Sequence, residues 1–402
     1  DPAEDLALSP GERGIAVLVR RAGVPIGFWM EETRGARVVP ASALTQRIAR
    51  EVKVAKAASE HREPTVPRAT SAILTIAICT KDRPEGVERL LGSLRQIVTR
   101  PPPPIARVEV LVVDNAPSDE RTRELVRHWP DVRYVREPPP GLNFGRNRAV
   151  REARGELIAF LDDDVVADAH WLEGLADAWS ANSDAAAFTG QVLPLELETE
   201  AQILFEQRGG FRRGFDRIRY GQVLRGNPVY PAAAGIFGTG ANMAFKVDVL
   251  RSLGGFDEAL DTGAPVPGGG DLDIFYRVIR AGYVLVYEPR YLVFHQHRRD
   301  RAALIRQYQR SWGLGFMCFI AKCLATDRER RPRLLLQIAW WVFHHVSLVV
   351  LHSGRKMLGV RHVPPSIFAG ELWYGAIGLA GGYRRSQRRV RELKERYRPT
   401  GV

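Results

Sequence analysis

The sequence predicts an α/β protein: a Rossmann-like, mostly parallel sheet carrying a catalytic domain, with a small N-terminal α+β module and a C-terminal helical region. Three observations lead there. From Ala72 onward, short continuous apolar runs alternate with stretches whose apolar residues recur at helical spacing. Carboxylates follow three of those runs, where ligands of such sheets bind. Composition also divides the 402 residues into 1–70, 71–310 and 311–402, a length that suits two to three domains.

In the first part, residues 14–30 hold two apolar runs about Arg20-Arg21-Ala22-Gly23, which reads as a β-hairpin. Residues 42–58 place Leu44, Ile48, Val52 and Ala55 near one helical face, and the polar, Pro-bearing stretch 59–71 reads as a linker. No catalytic cluster occurs in this module, so a docking or packing role is expected of it.

The second part opens on a buried strand at 73–79. Pro84 then stands where a helix begins, and Leu90, Leu91, Leu94, Ile97 and Val98 form its apolar stripe. A strand at 108–113, a helix at 119–129 and a short strand at 132–135 follow. Next come a helix over about 143–153 and a strand at 156–161. Parallel strands joined by helices require helices on both faces.

Asp82 follows the first strand, Asp114 the second, and Asp162-Asp163-Asp164 the fourth. Each alone is explained by a helix cap or turn; three together point to one acidic crevice. The first strand is followed by Cys79-Thr80-Lys81-Asp82-Arg83-Pro84, without G-x-G-x-x-G, and no G-x-x-x-x-G-K-[ST] occurs. Dinucleotide enzymes and P-loop NTPases are therefore disfavoured. Cys79, Cys318 and Cys323 form neither a disulfide framework nor a zinc spacing, which favours a reducing compartment. No positively charged start followed by an apolar core is visible at the N-terminus, so no signal peptide is expected.

The segments ICTKDRP, VVDNAPSD, GLNFGRNRAV, FLDDDV, GTGANMAF, GGFDEAL, GGGDLDIFYR and a late HQH, in this order, resemble glycosyltransferase family 2 over roughly residues 73 to 300. The resemblance implies a GT-A fold and an inverting enzyme. Its donor is a nucleoside-diphosphate sugar (UDP-, GDP- or dTDP-linked), and a divalent cation, Mg²⁺ or Mn²⁺, assists as a Lewis acid. Strand alternation points Asp162 and Asp164 the same way, matching the family's D-x-D signature. By resemblance, Asp162 reaches the ribose or the metal, Asp164 the metal, and Asp163 supports the donor site between them. Asp114 contacts the nucleoside, Thr80, Asp82 and Arg83 line the base pocket, and Arg146 holds the base or diphosphate.

The resemblance places the segment at Gly240 and Asn242 beside the sugar and acceptor. It makes Asp271 the base that takes the acceptor hydroxyl proton, with Asp273 second in line and near the acceptor. The family commonly shows Glu-Asp where this chain has Gly270-Asp271. His295 is expected to complete the metal site, with diphosphate binding or packing as alternatives; His297 shares its face. A glycan, a lipid-linked molecule or a small molecule fits as acceptor. Processive synthesis is disfavoured, since Gln307-Tyr308-Gln309-Arg310-Ser311-Trp312 only loosely echoes Q-x-x-R-W. The rival classes are a sugar-phosphate nucleotidyltransferase, whose Gly-rich activation loop is not visible, and a silent scaffold, which the intact carboxylates oppose.

The third part carries the apolar run 334–351, interrupted by Gln337, His344, His345 and Ser347 and flanked by basic residues. An interfacial helix at the cytoplasmic face of an anionic membrane is the preferred reading. A core or homodimer helix and a true span are the alternatives. Net charge is +12 (58 Lys+Arg against 46 Asp+Glu). Residues 383–398 hold seven Arg and one Lys against two Glu, so +6 of that sits in sixteen residues. Anionic headgroups fit this tail better than nucleic acid, for which no recognition module is visible.

Overall fold

The computed structural model describes residues 4–33, 35–51, 72–260, 263, 265–360 and 363–398. Residues 52–58 of the expected first helix and the expected linker at 59–71 lie outside them. The N-terminal module pairs β1 (Leu6–Ala7) with a later strand and forms the expected hairpin from β2 (Gly14–Arg21) and β3 (Val24–Glu32). The partner of β1 is β4 (Val38–Val39), and α1 (Ala41–Glu51) follows. This module is docked on the main sheet. Arg20 forks onto Asp168, with Nη1 3.0 Å from Oδ1, and the Phe28 ring lies 5.1 Å from the Arg212 guanidinium.

The main sheet is built from β5 (Ala72–Thr80), β6 (Ile105–Asn115), β7 (Val132–Glu137), β8 (Leu157–Asp162) and β9 (Val165–Ala167), with β10 (Ala185–Pro194), β11 (Ile218–Tyr220), β12 (Asn242–Lys246) and β13 (Val284–His295). Its order is β11-β13-β10-β12-β8-β5-β6-β7, with β9 against β13. Strands β7, β6, β5, β8, β10 and β13 run one way, and β9, β11 and β12 run against them. The expected α/β architecture with a mostly parallel sheet is what the chain adopts.

Alternation along β5 explains the two layers. Ile76 and Ile78 point to one face, under α2 (Pro84–Ile97) and α5 (Trp171–Ala181), where Val87, Leu90, Leu91, Trp171 and Leu175 are buried. Ala77 and Cys79 point to the other, toward Phe144 and Ala149 of α4 (Leu142–Glu152) and Phe275 and Val278 of α8 (Gly270–Arg280). Shorter helices α3 (Arg121–Arg127), α6 (Glu200–Gln207) and α7 (Val247–Ser252) fill the connections. Each fully buried aliphatic side chain contributes about 1.5–3 kcal/mol relative to exposure.

Beyond α9 (Arg301–Arg306) and a stretch of wider helical turns at Gln307–Gly315 come α10 (Phe316–Thr326), α11 (Arg331–Met357), α12 (Pro365–Ile377) and α13 (Tyr383–Arg396). Met317, Phe319, Leu334 and Trp341 belong to the same buried cluster as Phe160 and Phe275. Helices α10 and α11 thus pack into the same core as the main sheet. A buried charge cluster fastens the join: Lys322 Nζ lies 2.6 Å from Asp273 Oδ1 and 2.8 Å from Asp257 Oδ2, while the Tyr383 hydroxyl donates to Asp257 at 2.8 Å.

Candidate active site

Register brings the strand ends together: Thr80 pairs with Asp114, and Cys79 with Asp162. A cleft of about 1160 Å³ opens at this edge. Thr80, Arg83, Arg146, Asp162, Asp163, Asp164, Gly240, Asp271 and His295 all line it.

Asp163 points inward, accepting from Thr80 Oγ1 at 2.7 Å and from Arg83 Nη1 at 2.9 Å. Both its oxygens are used to hold the base of the cleft. Its neighbours Asp162 and Asp164 alternate toward the opening. Burial, reinforced by Asp164 and Asp163 and opposed by Arg146, pushes the Asp162 carboxyl up to about 6. Burial also acts to raise Asp164, but His295 and Arg83 outweigh it and hold that carboxyl well below the usual range. His295 Nε2 lies 3.3 Å from Asp164 Oδ1.

Arg146, 5% exposed, reaches Asp162 Oδ1 at 3.4 Å and the Gly240 carbonyl at 3.3 Å through one nitrogen. Gly240 N–H in turn donates to Asp271 Oδ2 at 2.9 Å. A Cβ at Gly240 would stand 2.8 Å from Arg146 Nη2 and 3.3 Å from Asp271 Cβ, so a side chain here would push the Arg146 guanidinium from its place between Asp162 and the Gly240 carbonyl.

The missing Glu before Asp271 also has a local cause. A Cβ at Gly270 would lie 2.4 Å from the Leu260 carbonyl and 2.3 Å from Asn143 Nδ2, the amide that donates to Leu260 and Asp257 carbonyls. Gly270→Glu is therefore expected to destabilise the protein by roughly 1–3 kcal/mol. Urea unfolding measures this, and an unchanged midpoint would show that the crowding at this position is relieved without cost.

Four expected residues stand elsewhere. Asp82 accepts from Ser118 N–H at 2.8 Å and braces the turn after β6 outside the cleft wall. Asp114 is fully buried behind the wall, with the Tyr134 hydroxyl 2.8 Å from Oδ2. Asn242, also fully buried, accepts from Trp171 Nε1 and donates to the Tyr291 and Gln191 carbonyls, tying β12 to its neighbours. Asp273 points into the Lys322 and Arg277 ion pairs and is not among the residues that line the cleft. In each case the side chain is engaged by a partner distant in sequence, which single-sequence patterning does not display.

The sequence also left residues unassigned. Glu206 bonds His297 Nε2 at 2.9 Å, and His297 Nδ1 lies 2.9 Å from His295 Nδ1. Arg208, Gln337, Trp341, His345 and Glu371 line the far end of the cleft. The signal for the α11 residues was present: Gln337, Trp341 and His345 recur every four residues, marking one helical face.

The family description "Glycosyl transferase family 2" matches residues 75–228, and "Glycosyl transferase family group 2" matches residues 157–379, more than half of the chain. The chain belongs to the family 2 glycosyltransferases. This family 2 member is 27% identical over 227 residues to the pre-mycofactocin glycosyltransferase of Mycobacterium tuberculosis (strain CDC 1551 / Oshkosh), a match covering 56% of this chain and 43% of that one. It is 27% identical over 235 residues to the succinoglycan biosynthesis protein ExoM of Rhizobium meliloti, covering 58% of this chain and 69% of that one. The match thus spans under half the length of the M. tuberculosis relative. Among solved structures, mannosyltransferase PcManGT from Pyrobaculum calidifontis, in complex with GDP-Man and Mn²⁺, is similar with a TM-score of 0.47 and 18% identity. That match covers 84% of this chain and 89% of that chain.

Proposed function

We propose that this protein transfers a single sugar from a nucleoside-diphosphate sugar to an acceptor hydroxyl, with inversion, using Asp271 as the base. The carrying observation is the continuous contact Asp162–Arg146–Gly240–Asp271, which puts an acidic strand end and a separate carboxylate on one cleft. Each Asp271 oxygen accepts one backbone N–H, from Gly240 and Leu272, and keeps a second lone pair for the acceptor proton. Arg146, Arg83, Lys81 and Arg298 supply positive charge for the diphosphate.

A divalent cation fits this donor set. Among the described residues no group of three or more His, Cys, Asp or Glu side chains is placed to hold a metal by itself. Two carboxylates completed by substrate phosphates is, however, a usual Mg²⁺ arrangement. The histidine geometry supports the fit. Burial lowers the pKa of His297, whose Nε2–H donates to Glu206. Its Nδ1 lies 2.9 Å from His295 Nδ1, which leaves His295 Nε2 directed at Asp164. Asp162 and Asp164 would hold the ion together with substrate phosphates, with His295 beside Asp164, and as a Lewis acid the ion would stabilise charge on the leaving diphosphate. Nucleoside diphosphate release from a panel of UDP-, GDP- and dTDP-sugars, with Mg²⁺ or Mn²⁺, tests the reading; no release with any donor overturns it.

We also infer peripheral binding at the cytoplasmic face of an anionic membrane. Helix α11 is long and apolar enough to cross one, yet its polar residues Gln337 and His345 are buried against the protein. Its outer face exposes Leu336, Phe343, Val346, Val350 and Leu351, with Phe343 72% exposed. Removing residues 383–402 would not test this cleanly, because Tyr383, Val390 and Leu393 are part of the core. Phe343→Ser is instead expected to weaken binding to phosphatidylglycerol vesicles roughly tenfold, and Gln at Arg384, Arg385 and Arg388 to weaken it further at low salt. Equal co-sedimentation of wild type and variants rejects the surface.

A further inference from the structure

The far end of the cleft is built differently from the donor end. Glu371, on α12, is 1% exposed, and Gln337, on α11, is 2% exposed. Glu371 Oε2 is shared between Arg208 Nη2 at 2.6 Å and His345 Nε2 at 3.0 Å. Glu371 Oε1 has no hydrogen-bond partner, and neither has Gln337 Oε1. Two buried acceptor oxygens without donors are costly unless a ligand brings the donors. Both residues line the cleft, beside the rings of Trp341 and Phe368.

Uncharged donors placed against aromatic faces are what a sugar ring offers. Its hydroxyls supply O–H groups, and its C–H face packs on flat rings. Free phosphate, which brings acceptors rather than donors, does not satisfy these two oxygens. Arg208 Nη2 is engaged by Glu371, and its Nη1 is a buried donor without a hydrogen-bond partner. A hydroxyl oxygen of the same sugar ring would satisfy that donor, while phosphate would still leave the two acceptor oxygens unmet.

We propose that the region between Gln337, Glu371, Trp341 and Phe368 is a saccharide subsite that seats the acceptor. The proposal rests on reading the cleft as a site of glycosyl transfer, and it narrows the acceptor to a molecule carrying a sugar ring. The C-terminal helices thereby form the acceptor half of the site. The helix bearing Glu371 packs along Gln307–Gly315, and Gly268 of the loop before Asp271 lies against Ser311 in that same stretch. One cleft therefore joins the subsite to the base.

The test uses the full chain and methyl glycosides of glucose, galactose, mannose and N-acetylglucosamine as probes, followed by saturation-transfer NMR titration. At least one glycoside is expected to bind. Gln337→Leu, close in shape, is expected to weaken that glycoside roughly tenfold while holding or raising the melting temperature, because it removes an unpaired buried oxygen. Glu371→Gln is expected to weaken it as well. A purely structural Gln337 would instead give a lower melting temperature with unchanged glycoside affinity, which overturns the proposal. Absence of binding by every glycoside also overturns it. Titration of the same wild-type sample with UDP, GDP and dTDP separates the two readings: diphosphate binding without glycoside binding removes the subsite and leaves the donor site standing. Glycoside binding without diphosphate binding does the reverse.

Discussion

Asp271→Asn is expected to lower sugar transfer about 1,000-fold while nucleoside diphosphate affinity stays within about twofold. General-base assistance is worth roughly 100- to 10,000-fold, and an amide of the same shape cannot take the acceptor proton. The geometry makes this substitution informative. Asp271 receives Gly240 N–H through Oδ2 and Leu272 N–H through Oδ1. The Asn carbonyl oxygen can keep one of these bonds, so the loop at Gly240 retains an anchor. Initial rates of diphosphate release, paired with calorimetric titration of the diphosphate, check the two halves of the expectation. Retained turnover would remove Asp271 from the role of base. Asp273 is not placed to inherit it, being committed to Lys322 and Arg277.

The second large effect is expected at the acidic strand end. Asp164→Ala should weaken Mn²⁺-dependent diphosphate binding roughly 100-fold, in the range seen when metal sites lose coordinating or supporting groups. Its backbone carbonyl, which accepts from Gln296 N–H at 2.8 Å, is untouched, so β9 stays paired to the end of β13. Chelation with EDTA should bring the wild type down to the affinity of the variant. Equal affinity of the two proteins in Mn²⁺ would rule out Asp164 as a ligand. Arg83 is a built-in complication with a known sign. It lies 3.3 Å from Asp164 Oδ2, so removing that carboxylate frees positive charge toward the diphosphate and offsets part of the loss.

The fold was largely legible because its signals are local. The buried run at 73–79 became β5, the stripe from Leu90 to Ile97 became the inner face of α2, and the run at 334–351 fell inside α11. Helix capping and strand alternation act over a few residues, so they can be read without knowing the partner. The acidic triplet was legible as a run at a strand end, although β8 stops at Asp162 and Asp163 turns inward within the turn that follows. Local pattern gave no means of separating Asp271 from Asp273. Both sit in the first turn of α8, and only Lys322, from a helix some fifty residues later, shows which one is neutralised in the core.

By itself the sequence indicated an α/β domain with carboxylates at the carboxyl edge of its sheet, and its family resemblance pointed to Asp162, Asp164 and Asp271 as candidates. Tertiary structure alone showed which partners Asp82, Asp114, Asn242 and Asp273 face, that a side chain at position 270 would crowd Leu260 and Asn143, and that residues of the C-terminal helices line the cleft. The division has one physical reason. A backbone pattern is set by neighbours along the chain, whereas the role of a polar side chain is set by what it faces across space. The partners of Glu371 are His345, on the preceding helix, and Arg208, 163 residues away.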